Sequence, residues 1–217
     1  MIDEWKPGCP EWITEDNSPL AQEQRRHILK QLVEEDYAKL PSEELVKAWH
    51  KGMFEGVAPC NDYVGQFRDQ DRTSYCLQDY EVMVGDVLGT PSSRVLLEVD
   101  EYFKELNIKL RQLESSFPMN DKRPPTSDEI SEVVELSAWA HGEWVRIHPF
   151  ANGNGRTARL LANYILVRFG FGPALSLKPR PDQPYGTAAR ASMQYGYHKP
   201  MEEVIWRLLA ENYGWRE

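Results

Sequence analysis

Residues 154–169 carry Leu160, Leu161, Ile165, Leu166, Val167 and Phe169 on nearly all sides of a helical wheel, and Gly170 follows where such a helix would stop. A helix apolar all round has to be buried, so the rest of the chain must wrap it. The neighbouring segments carry the one-sided pattern suited to wrapping. Ile130, Val133, Ser137, Ala140, His141, Trp144 and Ile147 share one face of a helix that Ser127 is expected to cap, with Asp128 and Glu129 near its positive end. Ser18-Pro19 offers a cap and a first-turn proline for Leu20, Ile28, Leu32 and Val33, a pattern expected to run to about Leu40. Ser42 restarts it with Leu45, Val46, Trp49 and Met53 as far as Gly56, and residues 92–113 read as a further helix. The acidic run Glu34-Glu35-Asp36 reads as a solvated face.

One stretch breaks the helical rhythm. Across residues 76–88, Tyr80, Val82 and Val84 alternate with Asp79, Glu81 and Met83, then Gly85-Asp86 and Val87-Leu88 follow, and Pro91 ends the stretch. That predicts a short β-hairpin. Residues 57–74 read as a loop, and 115–127 as a proline-containing connector. At 217 residues the chain is sized for one large domain, and 41% hydrophobic with 27% charged residues is a globular composition. A net charge of −9 argues against a nucleic-acid or anionic-membrane partner, and no apolar run approaches the ~20 residues of a membrane span. Cys9, Cys60 and Cys76 cannot all pair with one another and show no CxxC spacing, so they read as small buried apolar residues. With an N-terminus that lacks the pattern of a signal peptide, the expectation is a reduced, cytoplasmic protein.

The chemistry concentrates in His148-Pro149-Phe150-Ala151-Asn152-Gly153-Asn154-Gly155-Arg156-Thr157-Ala158-Arg159, between the last two of these helices. Glycines flanking an asparagine let the backbone turn its N–H groups inward, and free N–H groups at a helix start make an anion site. Arg156 and Arg159 lie three apart on the first turn, so both guanidinium forks are expected at the same region, an arrangement that suits a polyphosphate. His148, just upstream, is of the residue type that takes a proton near neutral pH. Gly153-Asn154-Gly155-Arg156-Thr157-Ala158 also fits a loose dinucleotide pattern, but a helix precedes it where that fingerprint needs a strand.

At this point the sequence resembles a known family. His-Pro-Phe-x-x-Gly-Asn-Gly-Arg-x-x-Arg is the signature of Fic proteins, met from His148 to Arg159 at all eight specified positions. Gly65-Gln66-Phe67-Arg68 resembles the stretch leading into the Fic flap, and Tyr185-Gly186-Thr187-Ala188-Ala189 resembles a nucleotide-side segment. The resemblance implies an all-α Fic fold, a helical bundle around a central buried helix with a small β-hairpin flap over the active-site loop. It implies residues 41–217 as the Fic domain, with 1–40 as an extension whose helix packs on the core. It also implies transfer of AMP from ATP to a Ser, Thr or Tyr hydroxyl of a protein. His148 would be the general base, and Gly153, Asn154 and Gly155 would hold the α- and β-phosphates. Arg156 and Arg159 would hold the leaving pyrophosphate, and Tyr185 would lie on the nucleotide side. Pro149 and Phe150 would be structural, with Phe150 anchoring the loop, and the flap residues Tyr80, Val82 and Val84 would align the target by strand pairing.

Two departures matter. Most AMP-transferring members carry Asp or Glu as a Mg²⁺ ligand where this chain has Asn152, a neutral and weaker donor. Three readings stay open: Mg²⁺ held largely by the nucleotide, reduced activity, or another donor. Transfer of UMP, phosphocholine or phosphate and a non-catalytic nucleotide- or partner-binding module are the alternatives; Gly155, which phosphorylating relatives replace by lysine, argues against phosphate. Many relatives are also silenced by Ser/Thr-x-x-x-Glu-Gly/Asn, whose glutamate pairs with the second motif arginine. Here only near misses occur, at Glu55-Gly56 and Glu211-Asn212, and an i,i+4 pair with Arg207 is the simpler role for Glu211. A separate inhibitor protein, as in family toxin–antitoxin pairs, is the implied alternative partner.

Overall fold

The computed structural model describes residues 6–12, 17–35, 37, 39–69, 74–117 and 125–215. Seven α-helices run through them: α1 (Pro19–Val33), α2 (Glu43–Phe54), α3 (Ser92–Ser116), α4 (Ser127–Ile147), α5 (Asn154–Arg168), α6 (Tyr185–Tyr195) and α7 (Lys199–Tyr213). Between α2 and α3 lies a two-stranded antiparallel ribbon, β1 (Met83–Val84) and β2 (Val87–Leu88). The fold is all-α with this one hairpin. In α5 every side chain but Val167 and the bare Gly155 is buried, as an all-round apolar helix requires. α5 is covered by α1, α2 and α4, while α4 packs in turn on α3, α6 and α7. Trp144 stands where α3, α4 and α5 meet. Its Nε1 donates to Thr157 Oγ1 at 2.8 Å, and its ring lies against Tyr102 and Phe103. Deleting a ring so placed costs about 3–5 kcal/mol.

Three boundaries differ from expectation, each for a local reason. α1 stops at Val33 instead of near Leu40. Two glutamates follow at the negative end of the helix dipole, and Tyr37 turns inward to pack on Tyr164 and donate to the Leu32 carbonyl. α4 is capped by Thr126, not Ser127, through a capping box in which Thr126 and Glu129 exchange side-chain to backbone bonds. The hairpin is shorter than residues 76–88. Its register pairs Met83 with Leu88 and Val84 with Val87 around Gly85-Asp86, and Gly85 at φ +65 supplies the positive φ the tight turn needs. Residues 76–80 form turns, so Tyr80 and Val82 lie outside the strands and only Val84 of the three flap residues is in one.

The cysteine expectation is corrected. Cys9 and Cys76 form a disulfide across 67 residues of sequence, and Cys60 is the free thiol. Closing so long a loop restricts the unfolded chain. The pairing removes unpaired cysteines as a support for a reduced compartment. Among the described residues no helix is long and apolar enough to cross a membrane. Residues 70–73 of the expected loop, 118–124 of the connector and Asp36 of the acidic run lie outside the described residues.

Candidate active site

The site begins where α4 ends. Proline at 149 disfavours the right-handed helical region for the residue before it. His148 accordingly caps α4 in the left-handed conformation, φ 54 and ψ 55. That backbone costs a non-glycine residue about 1–3 kcal/mol, so something must hold it. Arg68 does. Its Nε donates to the His148 carbonyl at 2.7 Å and its Nη2 to those of Ile147 and Thr90, while its Nη1 reaches the Tyr80 carbonyl at 3.2 Å. Its own N–H donates to the Pro149 carbonyl at 2.8 Å. Burial pulls this guanidinium down to about 10, against the opposing pull of Glu81, and it stays charged at neutral pH. One buried cation thus ties the end of α4 to both roots of the hairpin. A Cβ on Gly89 would stand 3.0 Å from the His148 Cβ, so the hairpin root lies directly against the histidine.

The orientation of His148 fixes its protonation. Nδ1 lies 2.8 Å from the Val145 carbonyl, which can only accept, so Nδ1 carries the proton and Nε2 the lone pair. Among the described residues Nε2 has no hydrogen-bond partner, and it is not one of the buried unpartnered atoms, so it is open. Burial holds the group down to about 4, with Arg68 pushing the same way, and the imidazole is neutral at pH 7. A neutral imidazole with an open Nε2 is a proton acceptor.

The next residues are clamped from behind. Phe150 is fully buried, stacked on His50 with ring centroids 3.9 Å apart and edge-on to Phe67. The Asn154 side chain bonds both sides of that residue, accepting from the Phe150 N–H and donating to its carbonyl, each at 2.8 Å. Asn154 is therefore the loop's own clip, and its side-chain amide is engaged within the loop, which leaves its backbone N–H to face an anion. His50 braces the other side. Its Nδ1 accepts from the Gly65 N–H, so Nε2 carries the proton and donates to the Asn152 carbonyl at 3.1 Å. Burial holds this second imidazole down to about 3. Gly153 sits at φ +81, and a Cβ there would lie 2.5 Å from the Phe54 ring, so both space and conformation demand glycine. Beyond it α5 opens with the N–H groups of Asn154 and Gly155 unbonded among the described residues, the helix-start donors that an anion would take.

The two arginines do not converge as expected. Residues three apart share a helix face, but long side chains follow the surface they pack on. Arg156 lies 4.3 Å over the Phe54 ring of α2 and lines a small cavity with Trp12 and Arg25. Arg159 turns the other way and comes within 3.4 Å of where a Gly155 Cβ would be. It donates to the Tyr185 hydroxyl at 2.9 Å and the Leu177 carbonyl at 2.8 Å, and its Nε is buried without a partner. Among the described residues no carboxylate pairs with it. Tyr185 is itself buried, its hydroxyl held between Arg159 and His141 Nε2 at 2.8 Å. His141 is satisfied at that nitrogen only; its Nδ1 is buried and unpartnered. Glu211 sits 3.7 Å from Arg207 and Glu55 3.6 Å from Lys51, both as exposed i,i+4 pairs.

Asn152 does not offer a metal site. Its Oδ1 accepts from the Gly153 N–H at 2.6 Å and its Nδ2 donates to the Trp12 carbonyl at 3.1 Å. A neutral amide oxygen already engaged by the Gly153 N–H does not fit the role of a protein ligand to a divalent cation. His50, Arg68 and Trp12 were not assigned roles from sequence. Arg68 lay in a flagged segment, but nothing local marks a histidine or a tryptophan that acts across 102 or 140 residues.

Comparison with known proteins agrees with this architecture. The model of the Fic/DOC family matches residues 40–166. Protein adenylyltransferase Fic of Nematostella vectensis is 50% identical over 56 residues, covering 26% of this chain and 13% of that protein. Protein adenylyltransferase fic-1 of Caenorhabditis elegans is 49% identical over 57 residues, covering 26% and 10%. The chain thus matches only about a tenth of the length of these relatives. Among solved structures, a Fic domain containing signaling protein from Bacteroides thetaiotaomicron superposes with a TM-score of 0.65 at 17% identity, covering 93% of this chain and 74% of that one. The BepC protein of Bartonella tribocorum, with bound AMPPNP, gives 0.60 at 17% identity and 94% of each chain. A family match over more than half of the residues, on a buried α5 that starts at the motif loop, establishes that the chain belongs to the Fic/DOC family.

Proposed function

We propose that the protein is an adenylyltransferase that moves AMP from ATP to a Ser, Thr or Tyr hydroxyl of a target protein, within a Fic domain spanning residues 41–217. The reading rests above all on the open Nε2 of a neutral His148 beside a helix start with two unbonded amides and an uncompensated buried Arg159. Relatives named as adenylyltransferases, and the AMPPNP bound by BepC, support the choice of ATP. In this reading the target hydroxyl gives its proton to His148 Nε2, and its oxygen attacks the α-phosphorus. The bond to the β-phosphate bridging oxygen breaks and pyrophosphate leaves. The amides of Asn154 and Gly155 and the guanidinium of Arg159 balance the charge it carries away. Tyr185 acts as the support that aims Arg159. The hairpin beside His148 would hold the target backbone.

A separate inhibitor that supplies a carboxylate to Arg159 fits the absence of such a partner among the described residues. The competing reading, a nucleotide-binding module without catalysis, is favoured by one observation: the Asn152 amide is locked between Trp12 and Gly153. Incubating the protein and a lysate with ATP labelled at the α or the γ position separates the readings. Label on protein from the α position, lost in His148→Ala, supports AMP transfer. Label from the γ position alone, or none from either, overturns it.

A further inference from the structure

Three sulfur atoms gather against the motif loop. Cys60 Sγ lies within 4.8 Å of Cys76 Sγ, with a carboxylate oxygen of Asp62 inside the same radius. Cys76 is bonded to Cys9, whereas Cys60 is a free, half-buried thiol. All three sulfurs belong to one small apolar cluster with Tyr63 and Leu77, on which Ala151 of the loop also packs. A free thiol held this near a disulfide is placed for exchange.

We propose that Cys60 and Cys9 compete for Cys76 in an internal thiol–disulfide exchange site. The Cys60 thiol loses its proton and the thiolate attacks Cys76 Sγ. The Cys60–Cys76 bond forms as the Cys76–Cys9 bond breaks, and the electron pair leaves on Cys9 Sγ, which takes up the proton. One disulfide and one thiol stand on each side, so no oxidant or reductant is consumed. The two isomers differ in what they hold. Cys9 is the covalent anchor of residues 6–12, which are otherwise held by non-covalent contacts: hydrogen bonds from Lys6 to the carbonyls of Tyr75 and Gln78, from the Tyr63 hydroxyl to the Pro10 carbonyl and from Asn152 Nδ2 to the Trp12 carbonyl, and the stacking of Trp12 on Tyr63. Trp12 also lies edge-on to Phe54, the ring that carries Arg156. Exchange therefore releases the covalent tether of the segment that covers the Asn152 side of the loop. The chemistry stands whether or not the protein transfers AMP, because it is scored on the sulfurs themselves.

The test uses the full chain purified without reductant. It is held between pH 7 and 8.5, quenched with acid and N-ethylmaleimide, and its disulfides are mapped by peptide mass spectrometry. The expected result is two linkages in the wild type: Cys9–Cys76 with alkylated Cys60, and Cys60–Cys76 with alkylated Cys9. Cys60→Ser should retain Cys9–Cys76 alone, and Cys9→Ser treated with glutathione disulfide should lose both alkylatable thiols to Cys60–Cys76. Hydrogen exchange across residues 6–12 should be faster in that oxidised Cys9→Ser protein than in Cys60→Ser. A wild type that yields only Cys9–Cys76 at every pH overturns the proposal, and needs no variant to fold. A reduced chain that takes up one Zn²⁺ and shields its thiols from alkylation also overturns it, in favour of a metal centre. Equal hydrogen exchange in the two variants would overturn the release of the segment.

Discussion

The motif loop and the hairpin lie against each other and are built in opposite ways. From His148 to Gly153 the loop is fixed from behind by buried groups: Arg68 on the α4 carbonyls, His50 on Asn152 and the stacked Phe150, and Asn154 on Phe150. The hairpin has two residues in each strand, with Met83, Val84 and Leu88 largely exposed. It is held at its root by the Arg68 guanidinium and at its tip by an exposed ion pair between Asp86 and Arg190 at 2.7 Å. Under the proposed reaction the contrast separates two tasks. A reacting histidine gains from being held in one geometry, since positioning supplies much of a rate. A surface that pairs with targets through main-chain bonds gains from freedom to adjust.

Breaking the rigid side should have the larger effects. His148→Ala should cut AMP transfer by about 10²–10⁴-fold, the contribution of a positioned base, while leaving ATP affinity within about twofold; parallel label-transfer and calorimetric titrations measure both. The imidazoles of His148, half-buried, and of the buried His50 and His141 are held down to about 4, 3 and 3, mainly by desolvation. In the unfolded chain each returns to about 6.5. The unfolded state then binds more protons, so stability is full above about pH 6.5 and is lost as the pH falls toward 4 and 3. The slope near pH 5 should approach, and not exceed, about 4 kcal/mol per pH unit. Denaturant midpoints measured from pH 7 to 4 report it. Arg68→Ala strips the buried carbonyls of Ile147 and Thr90 and the half-buried one of His148 of their donor, and should destabilise by about 3 kcal/mol or more. Arg68→Lys should recover only part of that, because an ammonium cannot fork to all of them.

On the adaptable side the effects should be small. Asp86→Ala removes an ion pair whose members are both well exposed, and should change stability by less than about 1 kcal/mol. Its signature should be faster amide exchange at residues 83–88 with the midpoint of unfolding unchanged. A large loss of stability would show that the tip holds more of the fold than its exposure allows.

The same contrast governs what could be read in advance. Local signals sufficed where the structure obeys local physics: the apolar α5 and the caps Ser18 and Ser42. The capping box at Thr126 was present as Thr-x-x-Glu and lay one residue from the cap expected. What escaped is carried by contacts distant in sequence. The disulfide spans 67 residues, and the Arg68–His148 bond spans 80. The divergence of Arg156 and Arg159 depends on Phe54 and Tyr185, which no helical wheel of α5 contains. The hairpin was overextended because alternation in residues 76–82 reflects packing in turns, where Tyr80 meets Tyr63 and its carbonyl meets Arg68.

In the proposed reaction one bend between α4 and α5 offers a triphosphate its free amides and Arg159 while His148 Nε2 faces the α-phosphorus. A crystal structure with a non-hydrolysable ATP analogue tests it most directly. The account predicts phosphate oxygens within hydrogen-bond distance of the Asn154 and Gly155 N–H groups and of Arg159, with His148 Nδ1 still on Val145. A nucleotide bound elsewhere, or a bend left empty with Arg159 still closed on Tyr185 and Leu177, would contradict it.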